Sequence, residues 1–166
     1  MATFIKIAAV TVGAGGAANI EFTSIPSTYT DLLIFYSGRN TSSGDWIHLN
    51  FNGSTANFSG RQIFAVPGTI ASYTKTDGTE AGVNNSSSTT AGTFGSASFY
   101  IPNYTSSSNK SFSIDSVTEN NASTAYSVLH AGLWSNTAAI TSVRLTPNAN
   151  NFAQHSTATL YGISKS

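Results

Sequence analysis

Residues 31–39, DLLIFYSGR, place apolar side chains on both sides of one extended segment. Leu33 and Phe35 point one way, and Leu32, Ile34 and Tyr36 point the other. An antiparallel strand at a sheet surface normally has one apolar and one wet face, so this pattern predicts a central strand covered on its second face too, by a long loop or another subunit. Residues 125–134, which contain Val128 and His130, repeat the pattern. Leu32, Ile34, Tyr36, Val128 and His130 are therefore expected at core or subunit-interface positions. Elsewhere the alternation is cleaner. Residues 46–52 oppose Ile47, Leu49 and Phe51 to Trp46, His48 and Asn50, and residues 3–12 alternate with a high share of β-branched side chains. Further strands are expected at 19–22, 61–66, 70–75, 96–101, 111–117, 139–146 and 157–163.

Turn residues punctuate these runs. Gly13, a corner at Pro26, Asn52-Gly53, Pro67-Gly68 and Asp77-Gly78 each supply the φ values or missing donor that stop a strand. Residues 80–95 carry NNSSSTTAGT and almost no large apolar side chain, which predicts a long exposed loop. On that reading, trimming Asn84 to Thr90 is tolerated, whereas Leu32→Asp or Ile34→Asp abolishes folding or assembly. No segment sustains a helical period. The fold class is thus all-β: an antiparallel β-sandwich of about ten strands in one domain, 1–166. The strand count and long loops favour a jelly-roll-like arrangement over an immunoglobulin-like one.

Composition narrows the function. Charged residues are only 8% of the chain, so Ser, Thr, Asn and Gly do the solubilising. Seven basic and seven acidic residues leave no excess to track phosphates, which argues against nucleic-acid binding. With no cysteine there is neither a disulfide framework nor a thiolate metal site. The first 18 residues have the outline of a secretory leader, but threonines interrupt the apolar run and a first strand is the better reading. No apolar stretch approaches the roughly 20 residues that span a bilayer, so no membrane insertion is expected.

Candidate chemistry is sparse. His48, His130 and His155 are far apart in sequence, without metal-ligand spacing, and His130 reads as a hydrogen-bonded structural histidine. No G-x-S-x-G elbow accompanies the many serines, and no spacing singles out a carboxylate pair among Glu21, Asp31, Asp45, Asp115 and Glu119. Asp31 or Asp45 is instead the expected ion-pair partner of Arg39. Asp77, Gly78 and Glu80 could touch a calcium ion, but no aspartate-rich ligand loop surrounds them. No cofactor and no catalytic residue is expected. Trp46, Tyr73, Tyr100 and Tyr104 fall on outer faces or loop ends, where an aromatic ring can stack on a sugar or anchor an interface.

Three blocks carry a family likeness: IEFTSIPSTYTDLLIFYSGR at 20–39, FNGSTANFS at 51–59 and AAITSVRLTPNANNFAQHSTATLYGIS at 138–164. Together they resemble a group of small virion-associated structural proteins of tailed bacteriophages. The resemblance implies a non-enzymatic β-sandwich subunit on the particle exterior, most simply a capsid decoration or cement protein. It also implies a homotrimer, with phage capsid or tail proteins as further partners. The alternative is a tail or fibre module that recognises host surface glycans.

Overall fold

The computed structural model describes residues 2–75, 80–121 and 124–164. Met1, where the leader question sits, and the Asp77-Gly78 turn lie outside the described residues. Among the described residues there are twelve strands: β1 (Thr3–Thr11), β2 (Ile20–Phe22), β3 (Asp31–Gly38), β4 (Trp46–Phe51), β5 (Phe58–Val66), β6 (Thr69–Lys75), β7 (Glu80–Val83), β8 (Gly95–Ile101), β9 (Lys110–Thr118), β10 (Tyr126–Trp134), β11 (Val143–Pro147) and β12 (Thr157–Ser164). The described residues contain no helix, and so none long and apolar enough to cross a membrane.

The strands form two antiparallel sheets of unequal size. The larger runs β1-β12-β3-β8-β9-β10-β5-β6 and the smaller runs β2-β11-β4-β7. This is a β-sandwich with two more strands than expected. Its eight-and-four division differs from the evenly matched sheets of a jelly roll. Asn52 (φ 52°) and Gly53 (φ 71°) both adopt left-handed conformations after β4, as the turn signal requires. Gly68 (φ 80°) does the same between β5 and β6.

Inward-facing residues of the two sheets make one core. Leu32, Ile34 and Tyr36 of β3, Phe99 and Ile101 of β8, and Phe112 and Ile114 of β9 meet Ile47, Leu49 and Phe51 of β4 and Val143 and Leu145 of β11. Phe51 is the hinge of an aromatic cluster: its ring lies 5.6 Å from Phe58, 5.5 Å from Phe112 and 5.6 Å from Trp134. Tilted and edge-to-face contacts of this kind add to the area term of burial.

The segment expected to be a long exposed loop is partly core. Glu80–Val83 is a strand paired with β4, and Ala81, Val83, Asn84, Asn85 and Ser86 are buried. Small residues are what allow this. A Cβ on Gly82 would stand 3.2 Å from Ser116 Oγ, and the same hydroxyl accepts the Val83 N–H at 3.1 Å, so the two sheets touch here backbone to side chain. A strand with no large side chain carries no apolar alternation, which is why the pattern misses it. Trimming from Asn84 would therefore remove buried residues, against the expectation of tolerance. Only Ser87 onward becomes exposed.

Arg39 explains how that exposed part is held. Its guanidinium donates to the carbonyls of Thr89 (3.0 Å), Thr90 (2.9 Å) and Thr93 (3.1 Å). The expected pairing with Asp31 or Asp45 does not form, because the planar fork finds three converging carbonyls instead. Asp31 accepts from Tyr100 Oη and from the Asn103 N–H, both at 2.9 Å. The arginine–carboxylate pair of the small sheet is Arg144 with Glu21, at 3.1 Å to both oxygens.

Candidate interaction surface

Leu32, Ile34, Tyr36, Val128 and His130 are all buried within the single chain, as core rather than subunit contacts. Burial pushes the Tyr36 hydroxyl well above the ordinary tyrosine range, and the Asn84 amide beside it opposes that only in part. His130 is a correction. Neither ring nitrogen has a hydrogen-bond partner among the described residues. The ring instead stacks on Phe112, with centroids 5.8 Å apart and planes 13° from parallel. It fills the space left by Gly60, where a Cβ would lie 2.5 Å from His130 Cε1. Burial, with the charge of Lys75 second, lowers its pKa to about 4. The ring therefore behaves as a flat apolar side chain at neutral pH.

The opposite face of the same strands is where the expectation of cover fails within one chain. Cross-strand register builds a continuous row over the large sheet: Phe35, Ser98, Asp115, Leu129, Ile63 and Ser72. The adjacent row runs Tyr161, Leu33, Tyr100, Ser113, Ala131 and Arg61. No strand of the small sheet lies on this side, and Phe35, Leu129 and Ile63 are 52%, 59% and 57% exposed. Phe35 leans edge-on against Tyr161 at 5.9 Å. Across the right half of the sheet a shallow groove of about 590 Å³ runs over Arg61, Ile63, Tyr100, Asp115 and Leu129, with Tyr73 at its margin. Small Ser and Ala side chains on β9, β8 and β10 make its floor, and the larger residues of neighbouring strands make its walls.

The four surface aromatics separate. Tyr100 and Tyr73 are exposed, and both line the groove. Tyr100 is oriented by its bond to Asp31, and burial followed by that carboxylate raises its pKa. Trp46 is half-buried beside Tyr126 at 6.5 Å, with the Lys75 ammonium 5.2 Å above its ring. It lies outside the groove lining. Tyr104 is a second correction: it is fully buried, and its hydroxyl donates to the Pro26 carbonyl. That bond ties the loop after β8 to the proline corner, so the ring is spent on the fold. The groove itself was missed by sequence reasoning, although Leu129 and Ile63 carried the signal as apolar residues at the wet positions of their strands.

No group of three or more His, Cys, Asp or Glu among the described residues is placed to hold a metal ion. The surface offers apolar side chains, hydroxyls and one charge of each sign, a set suited to contact and stacking. No protein-family model, curated protein or solved structure matches this chain.

Proposed function

We propose that this protein is a non-enzymatic structural subunit that works through the open face of its large sheet, as a bacteriophage virion component of the capsid-decoration kind. The observation that carries the reading is the open outer face of the large sheet, where Phe35, Leu129 and Ile63 are each more than half exposed, Leu129 beside Ile63 and Phe35 set apart from them by Ser98 and Asp115. Large apolar side chains exposed together on one sheet face commonly mark a contact surface. Low charge density fits a surface that becomes buried, because few ions need to be desolvated. The resemblance of the three sequence blocks to virion-associated proteins supplies the particle, and the usual habit of that group supplies the trimer.

A second reading follows from the groove. Tyr73 and Tyr100, with Arg61 and Asp115 between them, combine ring faces with one donor and one acceptor group, the chemistry that holds a sugar. On this reading the protein is a tail-associated glycan-recognition module.

Sedimentation equilibrium on the wild type and on a Phe35→Asp, Leu129→Asp double variant tests the first reading. Both positions face outward, so the variant is expected to keep its circular dichroism while a wild-type trimer falls to monomer. A wild type that remains monomeric at 100 µM, on the order of ten times the concentration at which a weak micromolar interface assembles, overturns self-assembly through this face. Antibody-gold labelling of phage particles then separates the two readings: label over heads supports decoration, and label at the tail tip supports recognition.

A further inference from the structure

A second cavity, of about 320 Å³, lies where the loop after β7 meets the connection between β9 and β10. Every side chain on its wall is polar, and one of them, Tyr126, is aromatic. Asn84 and Asn120 are buried parts of that wall, with their amide nitrogens already donated to Asn40 Oδ1 and the Thr124 carbonyl. Ser88 and Thr124 are exposed, and Asp45 and Tyr126 are half-buried, so these four carry the accessible chemistry. The size falls at the lower end of the roughly 300–1,000 Å³ of small-ligand sites and suits a single ring.

The free groups define what that ring must offer. The Asp45 carboxylate makes no ion pair and no hydrogen bond among the described residues; its Oδ1 is buried, and its Oδ2 is accessible. The Tyr126 and Thr124 hydroxyls are likewise unbonded among the described residues. Ser88 Oγ shares one hydrogen bond with Ser86 Oγ, at 2.9 Å. The set is therefore one charged acceptor with three hydroxyls, each able to donate and to accept. Positive charge is missing. The Arg39 guanidinium lies outside the lining and is turned to the carbonyls of Thr89, Thr90 and Thr93, so a phosphate or carboxylate ligand would meet no counter-charge. A neutral polyol presents donors and acceptors together on one small ring and matches this lining.

The frame is held without a ligand. The Tyr126 N–H donates to Thr118 Oγ1 at 3.0 Å, the Asn84 N–H donates to the Asp45 carbonyl at 2.7 Å, and Arg39 fixes Thr89. Walls fixed in advance cost little ordering on binding. Tyr126 also begins a run of rings that leads away from the cavity. Phe64 lies 5.7 Å from it with planes 27° apart, and Tyr73, half exposed on the edge strand β6, lies 5.6 Å beyond Phe64. We propose that the cavity binds one neutral sugar residue of a glycan, with Asp45 accepting from its ring hydroxyls and the following residues lying along Tyr126, Phe64 and Tyr73. The cavity shares no lining residue with the open-face groove, and the site does not depend on the virion reading.

The test titrates the full chain with glucose, galactose, mannose and N-acetylglucosamine, then with cellotriose and chitotriose. Binding is read by saturation-transfer difference NMR and by amide shifts in the protein. At least one monosaccharide should bind with a dissociation constant on the order of 1–10 mM, and shifts should centre on Asp45, Thr89 and Tyr126. The matching trisaccharide should bind roughly two- to tenfold more tightly through the added ring contact. Asp45→Asn should weaken binding at least about tenfold, because a charged acceptor is lost. Tyr126→Phe, which removes only an accessible hydroxyl, should weaken it roughly two- to tenfold and decides alone if Asp45→Asn fails to fold. No binding by any of the six sugars overturns the proposal, as does a trisaccharide no tighter than its monosaccharide. Tighter binding of glucuronate than of glucose overturns it too, since no cation lines the cavity. Shifts confined to Tyr100, Leu129 and Ile63 place the sugar in the open-face groove and overturn it while leaving the glycan reading of that groove intact.

Discussion

His130 sets a pH dependence that can be worked out from its surroundings. Its ring is 2% exposed, stacked on Phe112, and close to the Lys75 charge, so the folded protein favours the neutral form and holds the pKa at about 4. In the unfolded chain the same group titrates near its ordinary 6.5. Between these two values the unfolded state binds more protons than the folded one, and stability therefore rises with pH across that window. The His130 contribution is complete above pH 6.5 and is lost as pH falls toward 4. The whole span is worth about 3 kcal/mol, of which about 2 kcal/mol is lost by pH 5. For a domain of this size that lowers the melting temperature by roughly 4–8 °C. The assay is thermal unfolding at pH 7 and pH 5 for the wild type and for His130→Leu, a near-equal volume without a titrating group. Carboxylates respond identically in both proteins, so the difference between the two slopes isolates the histidine. Equal slopes would refute the argument, as would a His130 ring proton whose NMR titration has its midpoint near 6.5 in the folded protein.

Two further outcomes bear on the core. Leu32 is completely buried at the centre of β3, so Leu32→Asp combines the roughly 2–5 kcal/mol of a lost core side chain with burial of a carboxylate, and no cooperative unfolding transition should remain. Gly132→Ala would drive a methyl to 2.1 Å from Phe112 Cε2 and Cζ. That ring is wedged against Phe51, Phe58 and His130 and has nowhere to turn, so a loss of about 1–3 kcal/mol in urea unfolding is expected.

Alternation along the chain determined that the protein is an all-β sandwich, and it set Leu32, Ile34 and Tyr36 together on one face of their strand. The reason is local: a strand turns successive side chains to opposite sides, so the sequence itself sorts them. Asn52-Gly53 was legible for the same kind of reason, since the demand for positive φ is met by residue type alone. Where the alternation is silent, only tertiary structure decides. β7 has no large side chain, and it is a strand because β4 offers an edge and Ser116 a hydroxyl. Arg39 chose three threonine carbonyls over a carboxylate because the fold brings residues 89–93 to it. Tyr104 went inward because the proline corner supplied an acceptor for its hydroxyl. The two apolar faces of β3 and β10 were visible in sequence, but which side the small sheet would cover was not. That depends on register across eight strands, and register turned Phe35, Leu129 and Ile63 outward into one row.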